Sequence, residues 1–161
     1  MTVEERGFSL HANSMNTIQL RQANDDDREF LFESYKATLQ PCVEWAWGWN
    51  EEFQRTGFCK HHPHEQLRVI TVDGKKAGGI HVEEQETLNV LRLIFLLPTF
   101  QNRGIGSELI LSEVTRARQA GKQFYLKVIR INPAKKLYDR LGFVVINEDD
   151  ATYHMRHDLK D

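Results

Sequence analysis

The feature that most constrains the fold is a strand, a glycine-bearing turn, a helix and a second strand, which follow one another between residues 88 and 131. Residues 88–97 form an apolar run of strand length, and residues 124–131 form a second such run. Between them, residues 104–120 have the apolar periodicity of an amphipathic helix. Strands joined by a helical crossover lie parallel in one sheet, so this segment predicts an α/β unit.

The remaining strands are predicted to be mostly antiparallel. Asp73-Gly74 is a strong hairpin turn signal, and it separates two short apolar runs. Runs of this kind predict further strands at 17–21, 67–72, 77–82, 144–147 and 153–156. The chain therefore predicts a mixed sheet with a single parallel pair.

Helical signals lie on both sides of the central unit. Helical spacing is clear after the capping residues 24–27, and Pro41 interrupts it. We expect the first helix to end at this proline and a second helical piece to cover residues 51–55. Near the C-terminus, an Asn-Pro pair at 132–133 opens a short helix that Gly142 ends.

Length and composition limit the class of protein. The chain has 161 residues, which suits one domain better than two. Its net charge of −2 argues against bulk nucleic-acid binding, and it has no apolar run of about 18 residues that would predict a membrane span. Residues 1–14 lack the pattern of a signal peptide, so we expect a poorly ordered leader before a domain at 15–161. Cys42 and Cys59 have no CxxC spacing, which favours free thiols in a reduced cytoplasm.

The most informative segment is the turn before the central helix, Gln101-Asn102-Arg103-Gly104-Ile105-Gly106-Ser107. Such a turn exposes backbone N–H groups together with the positive end of the helix dipole. Its glycines let the backbone approach an anion closely, and Arg103 adds a positive charge. The turn favours a pyrophosphate ligand, although two glycines alone are equally compatible with a simple tight turn. Neither the Walker pattern nor the dinucleotide fingerprint fits.

Two motifs together indicate a family. Gln101-x-x-Gly104-x-Gly106 follows a predicted strand, and residues 132–143 read Asn-Pro-Ala-Lys-Lys-Leu-Tyr-Asp-Arg-Leu-Gly-Phe. These motifs resemble the acetyl-CoA signature and the second motif of the GNAT superfamily of N-acetyltransferases, and the resemblance covers roughly residues 17–159. It implies the GNAT fold, an α/β (α+β) domain with a central mixed, mostly antiparallel sheet of six to seven strands, a parallel splayed pair and about four flanking helices.

The resemblance also implies acetyl-CoA as the cosubstrate. In this family the strand before the turn binds the pantetheine arm through its backbone, and the turn binds the pyrophosphate. The residues so implied are Ile94, Phe95 and Leu96 on the strand, Gln101, Asn102, Arg103, Gly104, Ile105, Gly106 and Ser107 in the turn, and Asn132, Lys135 and Tyr138 after it. Lys135 is equally well explained as a solvated helix charge.

Tyr138 is implied as the general acid. Negative charge ends on sulfur when an amine attacks the thioester, and a phenol can protonate the leaving thiolate. The general base stays open, because this chain has Val90 where some relatives carry a glutamate. The candidates are Glu44, Glu84, His81 and Glu83, or a chain of waters.

The acceptor side offers two interpretations. In this superfamily the N-terminal helices set acceptor specificity, and here they contain Tyr35, Glu44, Trp45, Trp47 and Trp49. The tryptophans are either an aromatic wall for the acceptor or a hydrophobic latch on the sheet, and the latch is preferred. Arg92 either binds an acceptor carboxylate or pairs with a nearby glutamate.

The resemblance implies transfer to the amine of a small molecule or an amino acid. A protein lysine or N-terminus is the alternative acceptor, and a non-catalytic acyl-CoA sensor is the alternative from another class. His61-His62-x-His64 lacks partners at metal-binding spacing, so we expect a polar loop and no metal. We expect no nucleic-acid or membrane partner, whereas a homodimer is compatible because relatives often pair through late strands.

Overall fold

The computed structural model describes residues 17–158, so the leader predicted at 1–14 lies outside the described residues. Seven strands form one sheet in this part of the chain: β1 (Ile18–Gln22), β2 (Arg68–Val72), β3 (Lys75–Glu84), β4 (Leu88–Leu96), β5 (Gln123–Ile129), β6 (Phe143–Glu148) and β7 (Thr152–His157). Their order across the sheet is β1-β2-β3-β4-β5-β7-β6. Among these strands only β4 and β5 pair in parallel, which confirms the predicted mixed sheet.

Four α-helices of the described chain flank the sheet: α1 (Arg28–Trp47), α2 (Glu51–His61), α3 (Ile105–Gln119) and α4 (Ala134–Arg140). The predicted capping residues form a capping box just before α1. The Asn24 side chain accepts a hydrogen bond from the Asp26 N–H, and the Asp27 carboxylate accepts one from the Asn24 N–H. The acidic run thus starts the helical segment as its residue types predict.

Pro41 lies inside α1, and the prediction that it ends the first helix was wrong. A proline in a helix interior removes one backbone hydrogen bond and costs about 3 kcal/mol. Cys42 and Val43, which follow it directly, are buried, and so are several residues of the preceding turns. Burial of an apolar side chain contributes about 1.5–3 kcal/mol, so packing on both sides of the proline outweighs its cost.

The sheet separates two hydrophobic cores. On one face, α3 and α4 cover a core that contains Leu91, Phe124 and Leu126. On the other face, α1 and α2 cover a smaller core that contains Leu31 and Phe95. The strands in the middle of the sheet are therefore covered on both sides.

Gly78 and Gly79 on β3 allow unusually close packing beneath α1. A Cβ on Gly79 would lie 2.9 Å from both Leu31 Cδ2 and Phe95 Cζ. A Cβ on Gly78 would lie 1.9 Å from the carbonyl oxygen of Phe95 on β4. Interiors are packed too densely to absorb such contacts, so these glycines set how closely α1 and β4 approach β3.

A β-bulge interrupts β4 at Arg92. His81 on β3 pairs with Leu93, and the next residue, Val82, pairs with Leu91, so Arg92 has no partner on β3. The bulge shifts the alternation of side chains along the strand. Leu91 packs in the core under α3, whereas Leu93 packs against the core under α1.

The parallel strands separate at the same point. Their pairing ends at Leu91 and Leu126, although β4 continues to Leu96 and β5 to Ile129. An opening therefore lies between the C-terminal ends of β4 and β5, which is the predicted splay. Ligands of open α/β sheets bind at the carboxyl ends of strands, so a ligand site is expected in this opening.

Candidate active site

Two cavities meet in the opening between β4 and β5. The turn cavity, of about 680 Å³, is lined by residues 94–96 of β4, by the turn at 101–107 except Arg103, and by α4. The loop cavity, of about 690 Å³, is lined by α1, residues 91–94 of β4, residues 127–129 of β5 and the β6–β7 loop at 149–152. Four residues line both cavities: Leu39, Ile94, Asn132 and Tyr138. The two compartments therefore share one wall.

The turn presents backbone N–H groups to the turn cavity. Asn102 and Gly104 both adopt the left-handed conformation, with φ of 59° and 80°, and α3 begins directly after Gly104. The N–H groups of residues 104–107 donate to no acceptor in the described part of the chain. Left-handed residues at a helix start form a nest that binds anions, and the helix dipole adds to it. A phosphate group fits this arrangement.

Gly104 keeps that nest accessible. A Cβ built on it would meet no protein atom within 4 Å, and its φ is one that L residues rarely adopt. The space that a side chain would fill therefore belongs to the cavity. Glycine at this position lets a ligand approach the backbone closely.

Gln101 and Arg103 hold the turn in place. Gln101 Nε2 donates a hydrogen bond to the Leu96 carbonyl oxygen at 2.7 Å, which ties the turn to the end of β4. Arg103 Nη1 donates to the Thr99 carbonyl oxygen at 3.2 Å, and its guanidinium lies 5.4 Å from the centre of the Phe100 ring. Arg103 does not line the turn cavity, so its contacts stabilise the turn itself.

The end of β4 forms the second side of the turn cavity. Ile94, Phe95 and Leu96 all line it, as the resemblance implies. Their backbone edge on the β5 side has no strand partner among the described strands, because the pairing with β5 ends at Leu91. An extended ligand can add to such an edge through backbone hydrogen bonds.

The third side of the turn cavity is formed by Asn132, by the start of α4 and by two positively charged side chains of α4. Asn132 Oδ1 accepts a hydrogen bond from the Ala134 N–H at 2.9 Å. Lys135 pairs with Asp139 at 3.0 Å and lines neither cavity. Lys136 and Arg140 line the turn cavity instead. Residues four apart share a helix face, which explains why these two cations lie on the same side of α4, whereas the prediction named Lys135.

Tyr138 occupies the wall between the two cavities. Its side chain is 5% exposed, and its ring packs at 5.8 Å against the ring of Phe143. Burial raises the pKa of Tyr138 above its ordinary value, so the hydroxyl is protonated at neutral pH. The hydroxyl makes no hydrogen bond with another described residue, and its proton remains available to a ligand.

The loop cavity carries charges of both signs. Arg92 and Lys127 are the first residues beyond the last β4–β5 pair, and Asp149 and Asp150 belong to the β6–β7 loop. The Asp149 carboxylate accepts hydrogen bonds from the N–H groups of Ala151 and Thr152, which lower its pKa to about 2. Asp149 is therefore used to shape the loop. Lys127 makes no ion pair within residues 17–158 and is available to a ligand.

The tryptophans differ in their environments. Trp49 packs against the Tyr35 ring at 6.1 Å and donates from Nε1 to Glu51 at 3.2 Å, as a latch would. Trp45 and Trp47 are 50% and 65% exposed, so the latch prediction was wrong for them. Trp47 lines the loop cavity together with Tyr35, which leaves the aromatic-wall interpretation open for that residue.

The predicted carboxylate bases do not line either cavity. Glu44 is exposed near the end of α1. Glu84 forms an ion pair with Arg116, which lowers the pKa of its carboxyl group. Glu83 pairs with Arg92 at 3.1 Å. The structure therefore places all three glutamates away from the shared wall.

His81 is connected to the loop cavity through His62, which lies in the predicted polar loop. His81 is 3% exposed, and its Nδ1 lies 2.8 Å from the Nδ1 of His62. His62 directly follows α2, which extends beyond the predicted 51–55 to include His61. His62 lines the loop cavity. The pairing joins the end of α2 to β3, residues 19 positions apart, and the local sequence does not encode such a contact.

Metal ligands, membrane-spanning helices and cysteines were the remaining features that the sequence addressed. Within residues 17–158, no three histidine, cysteine or acidic side chains cluster as metal ligands would, and no helix there is long and apolar enough to cross a membrane. Both cysteines are free thiols, as predicted. Cys42 is buried and lines the turn cavity, whereas Cys59 is exposed.

Comparison with known proteins supplies independent support. The sequence model of the acetyltransferase (GNAT) domain matches residues 49–157. No curated protein sequence matches the chain. Among solved structures, PaiA N-acetyltransferase from Thermoplasma acidophilum in complex with coenzyme A has a TM-score of 0.67 at 19% identity, over 87% of this chain and 98% of that one. Ard1 from Thermoplasma volcanium has a TM-score of 0.65 at 21% identity, over 87% and 96% of the two chains.

An acetyltransferase from Thermus thermophilus has a TM-score of 0.68 at 13% identity, again over 87% and 96%. At such identities these similarities establish the fold, and they extend over nearly the whole of each relative. The family match covers more than half of the chain and includes both the turn and α4. Together with the splayed parallel pair, it shows that the chain belongs to the GNAT family of acetyltransferases.

Proposed function

We propose that this chain transfers an acetyl group from acetyl-CoA to the primary amine of a small molecule or an amino acid, with Tyr138 as the general acid. The observation that carries the proposal is the position of Tyr138 on the wall shared by the turn cavity and the loop cavity. A reaction between two bound substrates needs their reactive ends to meet at one place. The shared wall provides that place.

The turn cavity suits coenzyme A. The free N–H groups of residues 104–107 match the needs of a pyrophosphate, and the unpaired edge of β4 matches the amides of a pantetheine arm. Lys136 and Arg140 supply positive charge for the remaining phosphate. The PaiA relative, whose structure holds coenzyme A, shares this fold. The phosphates and the pantetheine arm of the cofactor thus each have a chemically matched surface.

The reaction requires one proton at sulfur. The amine nitrogen forms a bond to the thioester carbon, the carbon–sulfur bond breaks, and its electron pair leaves with sulfur. Tyr138 donates its hydroxyl proton to that sulfur. A general acid in this role contributes about 10²–10⁴-fold to the rate.

The charges of the loop cavity favour an acceptor that carries a carboxylate as well as an amine. Arg92 and Lys127 lie on the strands, and Asp150 lies on the opposite loop. A zwitterionic amino acid complements both signs, whereas a simple polyamine complements only the acidic loop. An amino acid is therefore the acceptor class that these residues support best.

The test is acetyl-CoA turnover by the full chain, read as free thiol release with a panel of amines. The decisive pair is a free amino acid and the same compound without its carboxylate. We expect the amino acid to react with the higher kcat/KM. Preference for a lysine-containing peptide would contradict the acceptor class and support a protein acetyltransferase. Cofactor binding without turnover of any amine would contradict catalysis and support a sensor.

A further inference from the structure

We infer that His62 accepts the proton that the acceptor nitrogen loses during the reaction, and that His81 relays it. This inference rests on the proposed function and concerns the same site. The glutamates predicted as bases line neither cavity, whereas His62 lines the loop cavity that holds the acceptor in the proposed function. The chain therefore offers an imidazole in a cavity that none of its candidate glutamates lines.

The position of His62 is fixed by three contacts, two with Phe58 of α2 and one with His81 of β3. Its backbone N–H donates to the Phe58 carbonyl oxygen at 2.8 Å, which ends α2. Its ring lies 5.5 Å from the Phe58 ring and meets the His81 ring edge-on at 5.1 Å. His81 is held on β3 opposite Leu93, directly beside the bulge. His62 is thus part of the cavity wall, and the buried His81 supports it from β3.

The hydrogen bond between the two rings restricts their protonation. Because both rings use Nδ1 at 2.8 Å, one Nδ1 donates and the other accepts. When His62 donates, its Nε2 carries a lone pair, and this nitrogen has no partner within residues 17–158. That arrangement leaves Nε2 of His62, a residue of the cavity wall, able to accept a proton. It also directs the Nδ1 proton of His62 toward His81.

The proton transfer balances along this path. The acceptor nitrogen attacks as the free amine and becomes positively charged when it bonds to the thioester carbon. Its N–H bond then breaks, and the proton forms a bond with His62 Nε2. The Nδ1 proton of His62 moves to Nδ1 of His81, so the positive charge passes to His81. The sulfur receives its own proton from Tyr138.

The surroundings keep both imidazoles neutral before the reaction. Charged and titratable groups that act on the pair are His61, Arg68, Glu83 and Arg92. Burial and the neighbouring cations lower the pKa of His62 to about 3 and also lower the pKa of His81. A base this weak does not deprotonate a free ammonium. It suits the far more acidic nitrogen that exists after the N–C bond has formed, and Glu83 favours the charge that arrives on His81.

The test replaces His62 by glutamine in the full chain and measures kinetics with acetyl-CoA and the best amine of the panel. We expect kcat to fall about 10²-fold or more, because a positioned base is lost, while the acceptor KM and the affinity for CoA stay near the parental values. His81→Gln should lower kcat less, by roughly tenfold, because His62 remains. Added imidazole should restore part of the rate of His62→Ala, which a purely structural role would not allow.

His64→Gln is the matched control, since His64 lies two residues away and lines neither cavity. It should keep the parental kcat. A His62→Gln variant with parental kcat, or a His62→Ala variant that imidazole does not rescue although it binds CoA, would overturn the inference and leave the proposed function standing. A parent chain that releases no thiol with any amine would instead refute the proposed function itself.

Discussion

The turn cavity and the loop cavity are similar in size but differ in how the chain builds them. The turn cavity comes mainly from two contiguous segments, the turn at 101–107 and the start of α4, with the end of β4 between them in space. The loop cavity draws single residues from α1, the end of α2, two strands and the β6–β7 loop. One surface is therefore local in sequence, and the other exists only after the chain has folded.

In the proposed function, this difference separates binding of the cofactor from binding of the acceptor. Backbone N–H groups and a free strand edge form the turn cavity, and these groups are the same whatever the side chains are. Side chains form the loop cavity, and those of Arg92, Lys127 and Asp150 belong to neither hydrophobic core. We therefore expect substitutions in the two cavities to alter different kinetic constants.

Tyr138→Phe tests the point where the cavities join, and it should have the largest effect. Loss of the acid should lower kcat by about 10²–10⁴-fold, because sulfur must then leave without a proton. Steady-state kinetics measures the rate, and calorimetry with CoA should show unchanged affinity. A variant with parental kcat would mean that the shared wall is not where sulfur leaves.

Gly104→Asp should alter the turn cavity and leave the loop cavity unchanged. It places a side chain and a negative charge where the nest is open, so CoA affinity should fall roughly tenfold to a hundredfold. Calorimetry with CoA measures the effect. Gly121→Asp, at the other end of α3 and also at positive φ, is the control for backbone strain. Equal CoA affinity in the parent and the Gly104 variant would contradict the assigned phosphate nest.

Lys127→Met should affect only the loop cavity. Removal of this cation should raise the KM for an amino acid about tenfold, because a charged hydrogen bond to its carboxylate is lost. The same change should leave the KM for the amine without a carboxylate unaltered. Lys75→Met, in the β2–β3 hairpin, provides the comparison. Equal effects on both acceptors would exclude carboxylate recognition by Lys127.

Arg140→Ala and Lys136→Ala should have smaller effects on the turn cavity. Each exposed cation contributes about 0.2–1 kcal/mol, so CoA affinity should fall only about two- to fivefold per substitution. Added salt should reduce the difference, since it screens these charges. Lys135→Ala should bind CoA like the parent, because Lys135 lines neither cavity. A larger loss of CoA affinity in Lys135→Ala than in Lys136→Ala would show that Lys135, and not Lys136, contacts the cofactor.

Asp149→Asn should have the smallest effect, and it should depend on pH. Folding lowers the pKa of Asp149 from 3.8 to about 2, so its carboxylate stabilises the folded state at pH values above 3.8. That contribution is lost as the pH falls through 2. Thermal unfolding should therefore show a Tm difference between parent and variant that is full at neutral pH and fades in acid. An equal Tm difference at neutral and at acid pH would contradict this assignment.

Much of the fold followed from local signals. The glycine turn, the Asp73-Gly74 hairpin and the parallel pair were all visible as short patterns, because turns and crossovers depend on neighbouring residues. Pro41 was misjudged because burial of the residues around it comes from the sheet and not from the helix. Local propensity is a weak guide wherever tertiary packing is strong.

The site divides in the same way. The nest and Tyr138 lie within motifs, so the sequence places them. The contact of His62 with His81 joins α2 to β3 and required the folded chain. The choice between Lys135 and its neighbour Lys136 depended on which face of α4 each side chain occupies. Consecutive residues of an α-helix point about 100° apart around its axis. Distant contacts and rotational phase are the two quantities that short motifs do not contain.

The close packing of α1 on Gly79 of β3 affects how substitutions distant from the cavities would act. α1 rests on Gly79 through Leu31, and two turns later the same helix contributes Leu39 to the wall that both cavities share. A methyl group added at Gly79 would tilt that wall without touching any reacting atom. Acceptor selectivity and kcat would then change together, and mutagenesis confined to the residues around Tyr138 would miss the cause.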